Sequence, residues 1–182
     1  MLFRSEHVGG ASWNQLWNQY IAGPCGLEVA TFGNNLSFAV DWDGNAESLQ
    51  GPDNPNMEGG MMSNLDDYAK LLGIHLSEGA CGEHRVMTPQ SIAAMREPLT
   101  LFNDGGGYGM GWWIEEPMQE SDASTLYTDG GFYGSVSWID TERGYAGVAF
   151  FEEYTGTYNR VSIGGVRDQM LPIIEAALDA SR

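Results

Sequence analysis

The chain changes character near residue 105, and this change most constrains what it can fold into. Before that point, apolar residues recur at helical spacing behind capping residues. Ser12 and Gln15 form a capping box, and Thr88-Pro89 opens a short helix that we expect to run until Pro98. Separate runs of helices and strands are typical of α+β folds, because a parallel sheet needs alternating strands and helices.

The helix that Ser12 caps and one further helix follow from the same pattern. The first carries Trp13, Leu16, Trp17 and Ile21 on one face and is predicted to end at Gly23-Pro24. The second is predicted to begin at the cap Ser63 and to end near Ser77-Glu78-Gly79. Between them, residues 33–60 hold many Asp and Asn residues without periodicity and are predicted to form a long polar loop.

The second part is rich in aromatic and β-branched residues, which favour strands. The strands are predicted at the following ranges: Tyr108 to Glu115, Thr125 to Thr128, Tyr133 to Ile139 and Tyr145 to Glu153. Asp140 to Gly144 is predicted to be the turn between the last two. An amphipathic helix from Val166 to Leu178 is predicted to close the fold and pack on the antiparallel sheet. We therefore expect one domain over 1–182, mostly helical over 8–104 and mostly strands over 105–182.

Charge excludes some classes of partner. The chain has 182 residues and a formal net charge of -17, from 25 Asp and Glu against 8 Lys and Arg. Nucleic acid and anionic membrane surfaces are bound by clustered basic residues, so we expect neither as a partner. Hydrophobic residues make up 42% of the chain, which is enough for one substantial core and argues against a disordered acidic tail.

Metal and cofactor motifs are weak, and we expect no cofactor and no metal. His75, Cys81 and His84 lie close in sequence, but a helix end and loop with incidental polar residues explains them as well as zinc does. The acidic segment from Asp41 to Glu47 resembles the first half of a calcium loop, but a solvated acidic loop explains it better. Cys25 and Cys81 fit two unpaired thiols or one bridge in an exported protein, and the first is favoured slightly.

Five short blocks follow one another in a recognisable order. They are Gly10-Ala11-Ser12-Trp13; Pro24-Cys25-Gly26-Leu27 with Thr31-Phe32; Gly59-Gly60-Met61-Met62-Ser63 with Asp66-Asp67-Tyr68; Met87-Thr88-Pro89 with Met95; and Tyr108-Gly109-Met110-Gly111-Trp112. In this order they resemble the β-lactamase-related serine hydrolases, a family of class C β-lactamases, penicillin-binding DD-peptidases and esterases. The resemblance runs from about residue 8 to residue 155 and covers the C-terminal part of that catalytic domain. It implies a partial β-lactamase or transpeptidase-like fold.

The family's nucleophile and base are absent from this sequence. In its members, the serine of Ser-x-x-Lys attacks an acyl carbon, assisted by the lysine of that motif and by the tyrosine of a second motif. Both motifs precede the blocks seen here. The chain's one lysine is Lys70, and the residue three positions before it is Asp67. We therefore expect no acyl-enzyme chemistry from this chain alone. The expected role is the C-terminal part of an ester or amide hydrolase, and the alternative is a non-catalytic module that binds or completes a partner.

The resemblance also implies a substrate-binding segment. The family's Lys-Thr-Gly or His-x-Gly motif matches Asp129-Gly130-Gly131, and the backbone N–H of Phe132 would be an oxyanion donor. Tyr133 is the best candidate for a side chain in the pocket. Trp112, Trp113 and Trp138 would lie around the same edge, with about half of these aromatic residues facing the site.

Asp129 departs from the family's cation and would repel a carboxylate. This argues against β-lactam or DD-peptide substrates and mildly favours neutral esters, amides or lactones, or a site that no longer catalyses. The expected partners are thus a small ester or amide once the N-terminal part is supplied, and a partner chain at an exposed sheet edge. The family is often exported, which slightly favours a periplasmic or secreted location, although the chain carries no visible signal peptide.

Overall fold

The fold was determined as a computed structural model, which describes residues 2–32, 60–102, 106–115, 125–131, 135–150 and 163–181. The predicted long loop and calcium-like segment lie outside these ranges, apart from Gly60. The helices are α1 (Leu2–Gly9), α2 (Trp13–Trp17), α3 (Gly23–Cys25), α4 (Leu65–Leu76), α5 (Pro89–Arg96) and α6 (Ile163–Ala180). None of the described helices is long and apolar enough to cross a membrane.

The first predicted helix is present but differs at its end. Ser12 and Gln15 form the predicted capping box at the start of α2. The helical path then continues through a π-helical turn, Asn18–Ala22, into α3, and it ends at Cys25, one to two residues after the predicted end at Gly23-Pro24. Pro24 is tolerated because it lies in the first turn of α3, and the helix ends where Gly26 adopts a left-handed φ of 59°. Helix α1 was not predicted.

The cap of the second helix is one residue later than predicted. Asn64, rather than Ser63, is the N-cap of α4, and its side chain accepts a hydrogen bond from the backbone N–H of Asp67 at 2.8 Å. The predicted end is confirmed, since Ser77 is the C-cap. The Thr88 cap of α5 is also confirmed, because its hydroxyl accepts from the Ser91 N–H at 3.1 Å.

The described residues form three antiparallel sheets. Two are small pairs, β1 (Thr31–Phe32) with β2 (Met61–Met62) and β3 (Ala80–Cys81) with β4 (His84–Arg85). The largest contains β5 (Thr100–Leu101), β6 (Gly107–Tyr108), β7 (Trp113–Ile114), β8 (Leu126–Gly130), β9 (Val136–Asp140) and β10 (Tyr145–Ala149). Its order is β10-β9-β8-β7-β6-β5, so the α+β class with an antiparallel sheet is confirmed.

One prediction about strands needs correction, and five short strands were not predicted. The single strand predicted from Tyr108 to Glu115 is two strands, β6 and β7, because Gly111 has a left-handed φ of 85° and the chain turns back between them. The part predicted to be mostly helical also contains β1 to β5. The predicted turn after Asp140 is confirmed, since Tyr145 pairs with Asp140 across it.

The two faces of the large sheet carry different helices. Ile139 of β9 packs with Leu72 of α4 and with Trp112, which places α4 on one face. Side chains alternate along a strand, so Trp138 lies on the opposite face. Arg167 of α6 pairs there with Glu115 at 2.6 Å, and Thr128 donates to the same carboxylate at 3.1 Å. The C-terminal helix therefore packs on the sheet as predicted, on the face away from α4.

A disulfide fastens the helical part. Cys25, at the end of α3, is bonded to Cys81 of β3, across a sequence separation of 56 residues. The slight preference for two unpaired thiols is therefore wrong, because the fold brings the Cα atoms within 5.3 Å. This bond also removes Cys81 as a thiolate ligand for zinc.

Candidate functional site

The predicted binding segment lies at the end of β8. Asp129 is half-buried, and Gly130 is exposed at the last position of the strand. Asp129 pairs in register with Ser137 of β9, and both residues share the face that Ile139 presents to α4. Phe132 and Tyr133 lie outside the described residues, so the oxyanion donor and the pocket side chain stay predictions.

Gly131 already uses its backbone donor. Its N–H donates to the Ser135 carbonyl at 2.7 Å, which extends the pairing of β8 and β9 beyond Gly130 and Val136. A Cβ atom at position 131 would collide with the Ser135 hydroxyl, so glycine allows this close approach. The Gly131 N–H therefore holds the strands together and does not point at a substrate.

Tyr68 of α4 completes a group of polar side chains that we call the Asp129 cluster: Tyr68, Asp129 and Ser137. The hydroxyls of Tyr68 and Ser137 are 3.3 Å apart, and the Ser137 hydroxyl donates to the Asp129 carbonyl at 3.5 Å, a long and weak bond. Burial raises the pKa of Tyr68, and the negative charge of Asp129 raises it further. The Tyr68 side chain therefore stays a neutral phenol beside this carboxylate.

Burial also raises the pKa of Asp129. The other described cations bind elsewhere: Lys70 at Asp67 and Gly26, Arg85 at Glu78, Arg96 at His75, Arg143 at Asp140 and Glu175, and Arg167 at Glu115 and Asp168. Arg4, Arg160 and Arg182 are not described at the side-chain level. Within the described part of the chain, Asp129 thus has no cationic partner.

The aromatic residues divide between the two faces of the sheet, as strand alternation predicts. Trp112 lies on the α4 face, where its ring meets His75 edge to face at 5.1 Å. Trp113 and Trp138 lie on the other face, where Trp138 is 1% exposed beneath α6. Trp112 is therefore the member of the predicted aromatic set that the described structure places on the side of Asp129.

Sequence reasoning missed three residues near Asp129. Tyr68 was named only as part of the block Asp66-Asp67-Tyr68, without a role in the site, and nothing in the sequence distinguished Ser137. Phe150 was included only as part of a predicted strand, yet its ring lies 5.3 Å from the ring of Tyr68 in an edge-to-face contact. The one sequence signal that could have pointed to this group is Ser137, a polar residue that a correct alignment of β8 with β9 would have placed opposite Asp129.

The histidines of the weak zinc motif, His75 and His84, both lie within the described residues. No group of three or more His, Cys, Asp or Glu side chains in the described ranges could hold a metal ion. His75 is buried, and burial together with the nearby Arg96 lowers its pKa to about 4. Its imidazole is therefore neutral near pH 7, as part of the packing between α4 and Trp112.

The comparisons identify the family. The profile of the Beta-lactamase family matches residues 3–162, and the chain belongs to this family. No curated protein matches the sequence. Among solved structures, EstCE1, described as a hydrolase with promiscuous acyltransferase activity, is 21% identical with a TM-score of 0.66. The match covers 90% of this chain and 51% of EstCE1.

Two other structures extend the comparison. Simvastatin synthase (LovD) from Aspergillus terreus is 17% identical with a TM-score of 0.62, over 89% of this chain and 48% of LovD. The octameric penicillin-binding protein homologue from Pyrococcus abyssi is 21% identical with a TM-score of 0.62, over 91% of this chain and 39% of its own. The chain thus spans about half the length of EstCE1 and of LovD, and less of the Pyrococcus abyssi protein. These likenesses confirm a partial β-lactamase-like fold.

Proposed function

We propose that this chain forms the C-terminal part of a β-lactamase-like serine acyl hydrolase that acts on esters or amides. It would supply the face of the site around Asp129 and Gly130, while the nucleophile and its base come from sequence that precedes these residues in the family. Membership of the family and the half-length match support this role. Alone, the 182-residue chain would form no acyl-enzyme.

The position of Lys70 is the observation that carries this proposal. It is the one lysine in the sequence, and its ammonium group donates to the Gly26 carbonyl at 2.6 Å and lies 3.5 Å from the Asp67 carboxylate. A lysine held in this way bridges α4 to the segment after α3. It has no serine three positions before it and therefore cannot be the base of a Ser-x-x-Lys pair.

The Asp129 cluster supports a substrate without a carboxylate near this strand. An ionised Asp129 would repel such a group at close range, and no described cation offsets its charge. Since the Gly131 N–H is used within the sheet, the next backbone donor, that of Phe132, is the one proposed for the oxyanion. Neutral esters, amides or lactones at the reacting centre fit this chemistry.

Labelling with a fluorophosphonate tests the proposal. The 182-residue chain should not react, whereas the same chain extended through the preceding coding sequence should contain Ser-x-x-Lys and be labelled at that serine. The matched control replaces that serine with alanine in the extended protein and should abolish labelling. Labelling of the 182-residue chain, or a preceding sequence without the motif, would contradict the proposal.

The edge of the large sheet favours the second candidate, a module that binds or completes a partner. Strand β10 pairs with β9, and its other edge has no partner strand among the described residues. Its residues, Tyr145 to Ala149, include no charge and no proline, the usual protections of an exposed edge. Light scattering on the purified chain separates the outcomes: a stable monomer supports an independent module, and progressive self-association supports a fragment that needs a strand partner.

A further inference from the structure

The Asp129 carboxylate is a partly buried negative charge that nothing described in the fold neutralises. Charges withdrawn from water are normally paired, because removing a carboxylate from water is costly. The five cations with described side chains are all bound at other places. A ligand with a positive charge would therefore gain a stronger interaction here than at an exposed carboxylate.

Aromatic rings lie beside this carboxylate. The Tyr68 hydroxyl lies 3.3 Å from the hydroxyl of Ser137, which pairs in register with Asp129 on the same face of the sheet. The ring of Phe150 meets the ring of Tyr68 edge to face, at an interplanar angle of 78°. Phe150 is 39% exposed, so the Phe150 side of this aromatic pair can be reached from solvent. Ring faces attract cations, most strongly organic ammonium groups that also bring apolar carbon against the rings.

We propose that Asp129 and the aromatic pair of Tyr68 and Phe150 bind an organic ammonium group. The inference rests on the proposed function for the reacting acyl group and adds to it the substrate class: an ester or amide whose acyl or leaving part carries an amine. The neighbouring hydroxyls of Tyr68 and Ser137 carry no positive charge, so they do not compete with an ammonium group for the Asp129 carboxylate. A net charge of -17 further concentrates cationic ligands around the chain.

The probe is benzylammonium, which has an aromatic body and one positive charge but no acyl group to hydrolyse. Its binding to the full 182-residue chain is measured by two-dimensional NMR, which follows the backbone amides of Tyr68, Asp129 and Ser137. Benzyl alcohol is the neutral comparison, and phenylacetate is the anionic one. We expect benzylammonium to bind at least about tenfold more tightly than benzyl alcohol and phenylacetate to bind most weakly.

Asp129→Asn keeps the shape of the side chain and removes its charge. It should weaken benzylammonium binding about tenfold and leave benzyl alcohol binding unchanged. Glu142→Gln is the matched control, because it changes the net charge equally at an exposed position in the turn before β10. This control should leave both affinities unchanged.

Two results would overturn the ammonium site: benzylammonium binding no better than benzyl alcohol to the unmodified chain, or equal effects of the two substitutions. The comparison of benzylammonium with benzyl alcohol uses only the unmodified chain. It therefore tests the ammonium site even if Asp129→Asn does not fold. Since the probe is not a substrate, failure here leaves the fluorophosphonate result for the acyl hydrolase standing. Failure of that labelling would equally leave the binding measurement intact.

Discussion

The Asp67 carboxylate accepts a hydrogen bond from the backbone N–H of Ala30 at 2.9 Å, across 37 residues of sequence. The same oxygen accepts from the N–H groups of Glu28 at 2.9 Å and Val29 at 2.6 Å. Asp67 is 1% exposed, so α4 holds the segment before β1 through one buried carboxylate. The next residue on α4 is Tyr68, which joins this anchor to the Asp129 cluster.

Replacing Asp67 should destabilise the fold severely. Asp67→Ala leaves three backbone donors without their acceptor, and we expect a loss of about 3 kcal/mol or more in the free energy of unfolding. Urea unfolding at pH 7 measures this loss in the free energy of unfolding. Asp66→Ala is the control, because this exposed neighbour lies in the same first turn of α4 and should cost less than about 1 kcal/mol. Equal losses in the two variants would show that the three bonds are not an anchor.

His75 should make stability depend on pH in the acid range. Burial, with Arg96 nearby, lowers its pKa from 6.5 to about 4. Between pH 4 and pH 6.5, the His75 imidazole is therefore protonated in the unfolded chain and neutral in the folded chain. Stability from the neutral imidazole is complete above pH 6.5 and falls as the pH drops toward 4, by about 2 kcal/mol at pH 5.

Urea unfolding at pH 7 and pH 5 tests this dependence. His75→Gln should be less stable at pH 7, but the loss between the two pH values should shrink by about 2 kcal/mol. His84→Gln, at an exposed histidine, should keep the loss of the unmodified chain. An unchanged slope in the His75 variant would assign the acid sensitivity to other groups.

Gly147 leaves room for the ring of Trp138 on the neighbouring strand. A Cβ at Gly147 would lie 2.8 Å from Cη2 of Trp138, and the tryptophan is 1% exposed and cannot move aside. We expect Gly147→Ala to cost about 1–3 kcal/mol by overpacking. Gly73→Ala is the opposite case, because nothing lies within 4 Å of a Cβ there and helix α4 should gain about 0.5–1 kcal/mol. Thermal unfolding of both variants should therefore shift in opposite directions.

The bond between Cys25 and Cys81 closes a long loop and should contribute strongly to stability. For a sequence separation of 56 residues, the chain-entropy model gives about 4 kcal/mol. Cys25→Ala with Cys81→Ala should lose about that much in urea unfolding under oxidising conditions. Reduction of the unmodified chain should give a similar loss. Two free thiols in the unreduced, unfolded protein would show that the bond is not formed.

The sequence by itself determined the α+β class, the Ser12–Gln15 capping box, the Thr88 cap and the turn after Asp140. The caps and the turn depend on neighbours a few residues apart, and the class depends on how local patterns succeed one another along the chain. Only the tertiary structure decided that Cys25 pairs with Cys81, that Asp67 binds Glu28 to Ala30, and that Tyr68 meets Ser137. Each of these contacts joins residues 37 to 69 positions apart, and no local pattern marks them in advance.

Asp129 shows most clearly which properties of a residue the sequence determines and which depend on the tertiary structure. Its type and its place beside Gly130 could be found in the sequence, and so could the conflict of an aspartate with a family motif that carries a cation. Its burial, the aromatic pair beside it and the lack of a described cation depend on how α4 packs across β8 and β9. Side chains from distant segments set that environment, and environment decides what charge a carboxylate can bind.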